Sequence, residues 1–200
     1  MAGYTGANAP TNSSYLDWVP INEVEVHNQS LVTFKHNNEG VVFDNTYRVY
    51  KWVFVNLHPA TDNVSFQFQV NAEGESGYDE QMTTTQFGSY NKEDNAAADG
   101  LGYETSNDQA NGTSYQTLYP NQGSGLDESG CGTMYLFDPS STVFVKQFMF
   151  SEIQSNAQDY ARIDHCGGYI NTTSKINDIA FKFSSGNIEV ALIQMYGLPT

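Results

Sequence analysis

Short runs in which apolar and polar residues alternate constrain this chain more than any other feature of its sequence. Val64–Val70 (VSFQFQV) has an apolar side chain at nearly every second position, the pattern of a strand with one buried face. Thr46–Leu57 is apolar on both faces toward its end, which predicts a strand inside a sheet. We expect His58 and Pro59 to end that strand, because proline cannot donate to a ladder.

Similar runs cover most of the chain, and no helical stripe of convincing length interrupts them. Asn, Asp, Ser and Gly fill the gaps between runs, as turns require. Ser184–Asn187 is predicted to be a hairpin turn between the last two strands. About eight to ten strands of this kind predict an antiparallel β-sandwich or jelly roll. The other predicted strands are Glu23–His27, Leu31–Phe34, Gln81–Tyr90, Tyr115–Tyr119, Met134–Phe137, Val143–Ile153, Gln158–Ile170, Ile176–Phe183 and Ile188–Tyr196.

The chain is expected to be all-β and to form a single sandwich domain over residues 23–200, with a long loop region at about 91–131. Residues 1–22 are predicted to be an extended N-terminal arm. The first 14 residues are small and polar, without periodicity, and a segment of that composition gains order only by lying against something else. A neighbouring chain is the simplest candidate, so the arm is a first indication of an assembly.

The charge of the chain argues against several partners. Twenty-three acidic residues outweigh 8 basic ones, which gives a formal net charge of −15. Binding to nucleic acid depends on clustered Lys and Arg, and these basic residues are scattered. We therefore expect neither nucleic-acid binding nor membrane insertion. The N-terminal residues lack the apolar core of a secretory signal, so we expect synthesis in a cytosol and free thiols at Cys131 and Cys166.

The sequence offers few candidate residues for catalysis or metal binding. Asp164, His165 and Cys166 are consecutive, but neighbouring strand residues point to opposite faces, which predicts that no Cys–His dyad forms. No serine-nucleophile elbow or phosphate-binding loop occurs. Glu93, Asp94 and Asp99 could ligate calcium, but a solvated acidic loop is the preferred interpretation. We predict a protein that is not an enzyme and has no cofactor or metal, and keep a hydrolase with an acidic pair as a minor alternative.

Tyrosines in the long connections are the candidate contacts with a ligand or a second subunit. They are Tyr78, Tyr103, Tyr115 and Tyr119. Aromatic rings stack on sugars, and they also anchor interfaces between subunits. The sequence leaves both possibilities open.

Three segments resemble a module of virion proteins from tailed bacteriophages, particularly those of aquatic environments: Tyr50–Val70, Leu136–Thr142 and Tyr169–Gly197. The related proteins are tail-fibre or structural proteins, and the likeness extends over about residues 46–90 and 132–198. The shared motifs are strand and turn patterns without catalytic residues, so no site is carried over.

The resemblance implies a non-enzymatic virion protein on the particle exterior, in the tail or fibre apparatus or as a capsid decoration. Its expected partners are other virion proteins, held through the N-terminal arm, and we expect a homotrimer by analogy with fibre and decoration proteins. The acidic surface suits the outside of a particle better than contact with packaged DNA. The alternative is a carbohydrate-binding module that recognises host surface glycans through the loop tyrosines.

Overall fold

The computed structural model describes residues 17–94 and 99–199, and within these ranges the chain is almost entirely β-structure. Two antiparallel sheets pack against each other, which confirms the predicted sandwich. Besides the strands, the described residues contain one short 3₁₀ turn, Thr105–Asn107. The strands are β1 Val19–Gln29, β2 Val32–Lys35, β3 Tyr47–Pro59, β4 Val64–Ala72, β5 Met82–Lys92, β6 Asp99–Tyr103, β7 Gln116–Gln122, β8 Gly130–Phe137, β9 Lys146–Ser155, β10 Tyr160–Ile170, β11 Ile176–Phe183 and β12 Ile188–Pro199.

The two sheets differ in size. The larger has eight strands in the order β1-β12-β3-β8-β9-β10-β5-β6, and the smaller has four in the order β2-β11-β4-β7. The strand β3 lies between β12 and β8, which confirms the prediction that it is an interior strand. Four strands can cover only one face of the larger sheet, so its other face remains outside the sandwich core.

Aromatic side chains fill the space between the sheets. Phe181 of β11 is fully buried, and its ring centroid lies 5.1 Å from Phe54, 5.9 Å from Phe66 and 6.0 Å from Trp52. Edge-on and offset ring contacts of this kind add to the free energy gained by burying the rings. Because Phe54 and Trp52 belong to the larger sheet and Phe181 and Phe66 to the smaller, the cluster fixes one sheet on the other.

Two predictions about turns were wrong. The strand β3 continues through Pro59, which pairs with Ile188; a proline at the last strand position interrupts only the end of the ladder. Ser184–Asn187 does not close a hairpin, because β11 belongs to the smaller sheet and β12 to the larger. Gly186, at φ +69°, instead helps the chain cross between the sheets. Turn residues favour a reversal without specifying which strand the next one joins.

The predicted loop region and arm are both shorter than expected. Residues 91–131 include the strands β6 and β7; β6 was missed because its sequence, DGLGY, carries two glycines and little alternation. Val19–Asn22, assigned to the arm, belong to β1 and lie beside β12. Residues 1–16 of the arm are outside the described residues.

Candidate interaction surface

The outward side of the larger sheet carries an apolar surface that the smaller sheet does not cover. The cross-strand pairing arranges its side chains in three rows that begin on β12. The first two rows end on β6 and the third ends on β5; the first is interrupted between β3 and β8 by the irregularity at Phe54–Leu57. We call these 20 residues the outer face. The first row is Leu192, Val55, Cys131, Ile153, Ile163, Ser89 and Leu101; the second is Gln194, Val53, Thr133, Ser151, His165, Phe87 and Tyr103; the third is Tyr196, Lys51, Tyr135, Met149, Gly167 and Thr85.

Large apolar side chains on the central strands of this face are open to solvent. Met149 is 60% exposed, Ile153 is 52% exposed and Phe87 is 48% exposed. Their strand neighbours Phe148 and Phe150 are buried in the core, so β9 is apolar on both sides. Because side chains alternate between the two faces of a strand, these residues point away from the core, and no other described residue of the chain covers them.

The outer face is grooved. A depression of about 360 Å³ is lined by Phe87, Tyr135, Met149, His165 and Gly167, among others. Gly167 contributes to it because an added Cβ there would meet only the carbonyl oxygen of Phe148, at 3.6 Å. Large side chains surround Gly167, which has no side chain, and this leaves a hole in an otherwise apolar surface.

A second, broader depression of about 580 Å³ lies beside the first and is lined by Val53, Ile153 and Ile163 with their neighbours. Here Ile153 and Ile163 stand directly opposite each other on β9 and β10. Large apolar side chains therefore line both depressions of the outer face.

The outer face also differs from the rest of the chain in charge. None of its 20 residues is an aspartate or a glutamate, although the chain has 23, but the first two rows continue onto the edge strand β1 as Glu25, opposite Leu192, and Glu23, opposite Gln194. Lys51 is its only lysine or arginine, and the Nζ atom of Lys51 lies 4.4 Å from the ring centroid of Trp18 and 4.9 Å from that of Tyr196. Trp18 packs in turn on Tyr135, with ring centroids 6.0 Å apart. One end of the third row is thus partly covered by Trp18, and the central strands are not.

The predicted tyrosines do not form one site. Tyr119 lies in β7 and is fully buried in the core, so it has no ring surface that a ligand could touch. Tyr78 and Tyr115 come together, with ring centroids 6.4 Å apart, and burial followed by the Asp178 charge raises the pKa of Tyr78 to about 12. Tyr103 lies opposite Phe87 and belongs to the outer face.

Tyr115 borders a polar cleft on another side of the molecule. The cleft has a volume of about 360 Å³, and Asn107, Asp108, Gln109 and Ser114 line it with Tyr115. The Nζ atom of Lys182 lies 4.3 Å from the Tyr115 ring centroid. Amide and carboxyl groups beside an aromatic ring are groups that can hydrogen-bond and stack on a sugar.

A buried polar cluster lies on the inward side of β9 and β10. Asp164 is fully buried, Glu152 is 3% exposed, and the two residues pair across the strands. Arg162 binds Asp164 through two nitrogens at 2.5 and 2.9 Å and reaches Glu104 at 2.7 Å. Burial, and then Asp164, raise the pKa of Glu152 well above its ordinary value. Both carboxyl groups are enclosed, so this pair gives no support to the minor alternative of a hydrolase.

His165 and Cys166 point to opposite faces of β10, as predicted. Cys166 is 3% exposed on the inward side, where burial raises its pKa to about 12, and His165 lies on the outer face with its ring centroid 5.2 Å from that of Phe87. Cys131 and Cys166 are both free thiols. The Asp164–Cys166 segment therefore brings together no nucleophile and base.

Within the described ranges, no group of three or more His, Cys, Asp or Glu side chains is arranged to hold a metal ion. Glu93, Asp94 and Asp99, the residues considered for calcium, flank positions 95–98, which lie outside those ranges. No helix in the described part of the chain is long and apolar enough to cross a membrane.

Comparison with known proteins gives no family: the chain matches no protein-family model and no curated protein. The resemblance to phage virion modules remains a prediction from the sequence.

Apart from Tyr103, the residues that make the outer face were not predicted as a site. Their signal was present in Val143–Ile153, where apolar residues occur at consecutive positions as well as alternate ones. Such a pattern indicates a strand that is apolar on both sides. It does not indicate whether the second side is covered by the same chain, by another chain or by nothing.

Proposed function

We propose that this chain is a non-enzymatic structural protein of a bacteriophage virion, placed on the particle exterior. The observation that supports this most is the outer face, which exposes large apolar side chains on a chain of net charge −15. Exposed apolar patches of this extent in soluble proteins usually mark a site where another protein binds. Covering it in an assembly removes the exposed isoleucine, methionine and phenylalanine side chains from water.

The charge distribution favours an exterior position. Glu23 and Glu25 lie at the β1 edge of this side of the sheet, so a subunit docked through the central strands of the outer face keeps these charges at the rim of the contact and its other negative surfaces outside it. Packaged DNA is negatively charged and would be repelled by those surfaces. A position in the tail, in a fibre or on the outside of the capsid avoids this repulsion. The partners at such a position are other virion proteins.

The sandwich itself suits a building block. Its core is a continuous set of buried aromatic and aliphatic side chains, and every strand pair within the two sheets is antiparallel. A scaffold of this kind holds a surface in a fixed shape, which repeated contacts in a particle require.

Mass spectrometry of purified intact particles from the phage that encodes the chain tests the proposal. The chain should be present at a constant ratio to the other particle proteins. A copy number in the hundreds would indicate a capsid decoration, and a few to dozens would indicate a tail or fibre component. Absence of the chain from intact, infectious particles would refute a structural role.

Carbohydrate binding is the second candidate, supported by the polar cleft at Tyr115. Tyr115 offers a ring, and Asn107, Asp108 and Gln109 offer hydrogen-bonding groups within one cleft. A glycan array should then give hits that Tyr115→Ala removes. Tyr90→Ala is the matched control, because Tyr90 is partly exposed on β5 and does not line this cleft. No hits, or hits that both variants retain, would count against this function.

A further inference from the structure

We propose that Tyr15 and Leu16, in the N-terminal arm, pack into the first depression of the outer face of their own chain. There they cover Met149 and the hole at Gly167, and they leave the first row of the face open. This contact lies within one chain and does not depend on the proposed function.

Trp18 brings the chain onto the outer face. It directly precedes β1, the edge strand of the larger sheet, yet its ring packs on Tyr135 of β8, the fourth strand in the order of that sheet. The Nζ atom of Lys51 lies 4.4 Å from the centroid of the same ring, a cation–π contact that helps to hold the ring in place. Because Tyr135 also lines the first depression, the residues that precede Trp18 begin at the border of that depression.

The first depression is within reach of the two arm residues. Tyr135 is paired with Met149 of β9, and the next strand, β10, places Gly167 opposite Met149. Neighbouring strands lie about 4.8 Å apart, so Met149 is about 5 Å and Gly167 about 10 Å beyond Tyr135. Two residues of extended chain span about 7 Å and three span about 10 Å. Counted back from Trp18, these are the positions of the two arm residues.

The chemistry of the arm suits the depression. Residues 1–16 include no Asp, Glu, Lys, Arg or His, so packing them on an apolar surface buries no charged side chain. Among the described residues that line the depression, none is Asp, Glu, Lys or Arg, and the ring of Phe87 forms part of the wall. Leu16 is apolar, and the ring of Tyr15 can pack there while its hydroxyl group stays at the open side. The adjoining acidic residue, Asp17, is exposed.

The covalent connection favours the arm of the same chain over that of a second copy. A segment on a short flexible linker has an effective concentration on the order of millimolar at its site, and here Trp18 already lies beside the site. A second copy also carries a net charge of −15, so the two copies repel each other. We therefore place Tyr15 and Leu16 on their own chain, in place of the neighbouring chain expected from the sequence.

The docked arm divides the outer face into two parts. The third row is covered from Trp18 as far as Gly167, whereas Ile153 and Ile163, in the first row, stay exposed beside the second depression. The first row is then the part of the face that remains open to another protein.

Thiol labelling of the full chain tests whether the third row is covered. Met149→Cys and Ile153→Cys, each in a Cys131→Ser background, place a thiol at two positions of β9 where the native side chains are 60% and 52% exposed. We expect a maleimide to label Met149→Cys more slowly by about tenfold, the ratio for an arm that is docked about 90% of the time. Both rates should be independent of protein concentration, because the cover belongs to the same chain.

Charged substitutions in the arm test which residues form the cover. Tyr15→Asp combined with Leu16→Asp should raise the labelling rate of Met149→Cys to that of the first-row thiol, because a carboxylate is costly to bury in an apolar groove. Ala7→Asp combined with Ala9→Asp is the matched control: it adds the same charge to the arm outside the docked pair and should leave the protection unchanged. Circular dichroism checks that each variant is folded.

A disulfide distinguishes the chain's own arm from that of a second copy. Leu16→Cys combined with Met149→Cys, in the Cys131→Ser background, should oxidise to a bond within one chain and give the mass of a monomer under non-reducing conditions. Leu16→Cys combined with Ile153→Cys is the comparison. It should give little of this bond, because Ile153 lies four positions along β9 from Met149, a distance of about 14 Å.

Three results would overturn the proposal. Equal labelling of the two β9 thiols in the full chain would show that the depression is open. Protection of Met149→Cys that the paired aspartates leave intact would assign the cover to other residues. Disulfide-linked dimers in place of the bond within one chain would place the arm on a second copy. None of these results bears on the presence of the chain in particles, which mass spectrometry decides separately.

Discussion

Asp164 and Glu152 stand directly opposite each other on β10 and β9, and both carboxyl groups are enclosed in the sandwich. Two buried negative charges at this separation would be costly, because burial removes water from both. The pair is tolerated because Arg162 neutralises Asp164 through two hydrogen bonds and burial, with Asp164 alongside, raises the pKa of Glu152 and so favours its protonated form. A cluster of this kind links β9, β10 and the segment that carries Glu104, and its charge balance sets how stability depends on pH.

Glu152→Gln should flatten the decrease in stability with rising pH. Burial and Asp164 raise the pKa of Glu152 in the folded chain, whereas an unfolded chain releases this proton at an ordinary carboxyl pKa near 4.5. The stabilisation is therefore complete below that pH and is lost as pH rises toward the folded pKa. Urea unfolding at about pH 5, 6.5 and 8 measures the slope, which glutamine, having no proton to lose, should reduce.

Glu73→Gln is the control for that experiment, because Glu73 is an exposed residue just after β4. This variant makes the same glutamate-to-glutamine change and leaves the buried Glu152–Asp164 pair unaltered. Equal slopes for the wild type and Glu152→Gln would show that Glu152 is ionised in the folded chain.

Arg162→Met should be strongly destabilising, by about 3 to 5 kcal/mol, since it leaves the Asp164 carboxylate buried without a cation. Lys92→Met is the comparison: Lys92 pairs with Asp94 at 3.1 Å at the surface, where an ion pair contributes little. Thermal or urea unfolding of both variants measures the difference. Similar losses would mean that Asp164 finds another partner or takes up a proton.

Gly132→Ala should destabilise the chain by about 1 to 3 kcal/mol through overpacking. A Cβ at this position would lie 2.6 Å from the Ser151 carbonyl oxygen and 2.6 Å from the Tyr119 hydroxyl oxygen. Gly102→Ala is the control, because a Cβ there meets no atom within 4 Å. Adding Tyr119→Phe to Gly132→Ala should recover part of the loss, since it removes one of the two close oxygens; no recovery would assign the strain to the backbone contact.

The two thiols should react at very different rates. Cys166 is buried with its pKa raised to about 12, so a maleimide should label it only when the chain unfolds. Cys131 lies on the outer face and is only partly buried, so it should label in the folded chain. Counting labelled thiols by mass spectrometry in native buffer and in urea checks both statements, and fast native labelling of Cys166 would contradict the burial.

Much of the fold could be predicted from alternation. The run Val64–Val70 became β4 almost unchanged, and Ile176–Phe183 became β11 at the predicted bounds. The strand β6 was missed because glycine-rich strands show little periodicity. The sheet crossing at Ser184–Asn187 was misassigned as a hairpin, because turn residues do not specify which strand the next one joins. Of the candidate tyrosines, Tyr119 turned out to be part of the core, since a tyrosine in a strand can point either way.

The sequence by itself determined that this chain is an acidic, all-β sandwich, because the period of apolar residues and the sum of charges are properties of the order and kind of residues alone. Only the tertiary structure decided which apolar faces are covered. Pairing across strands collected Ile153, Ile163 and Met149, which are spread over 15 positions of sequence, into one apolar surface. That surface depends on register and strand order, and these are set by packing between segments far apart in the chain.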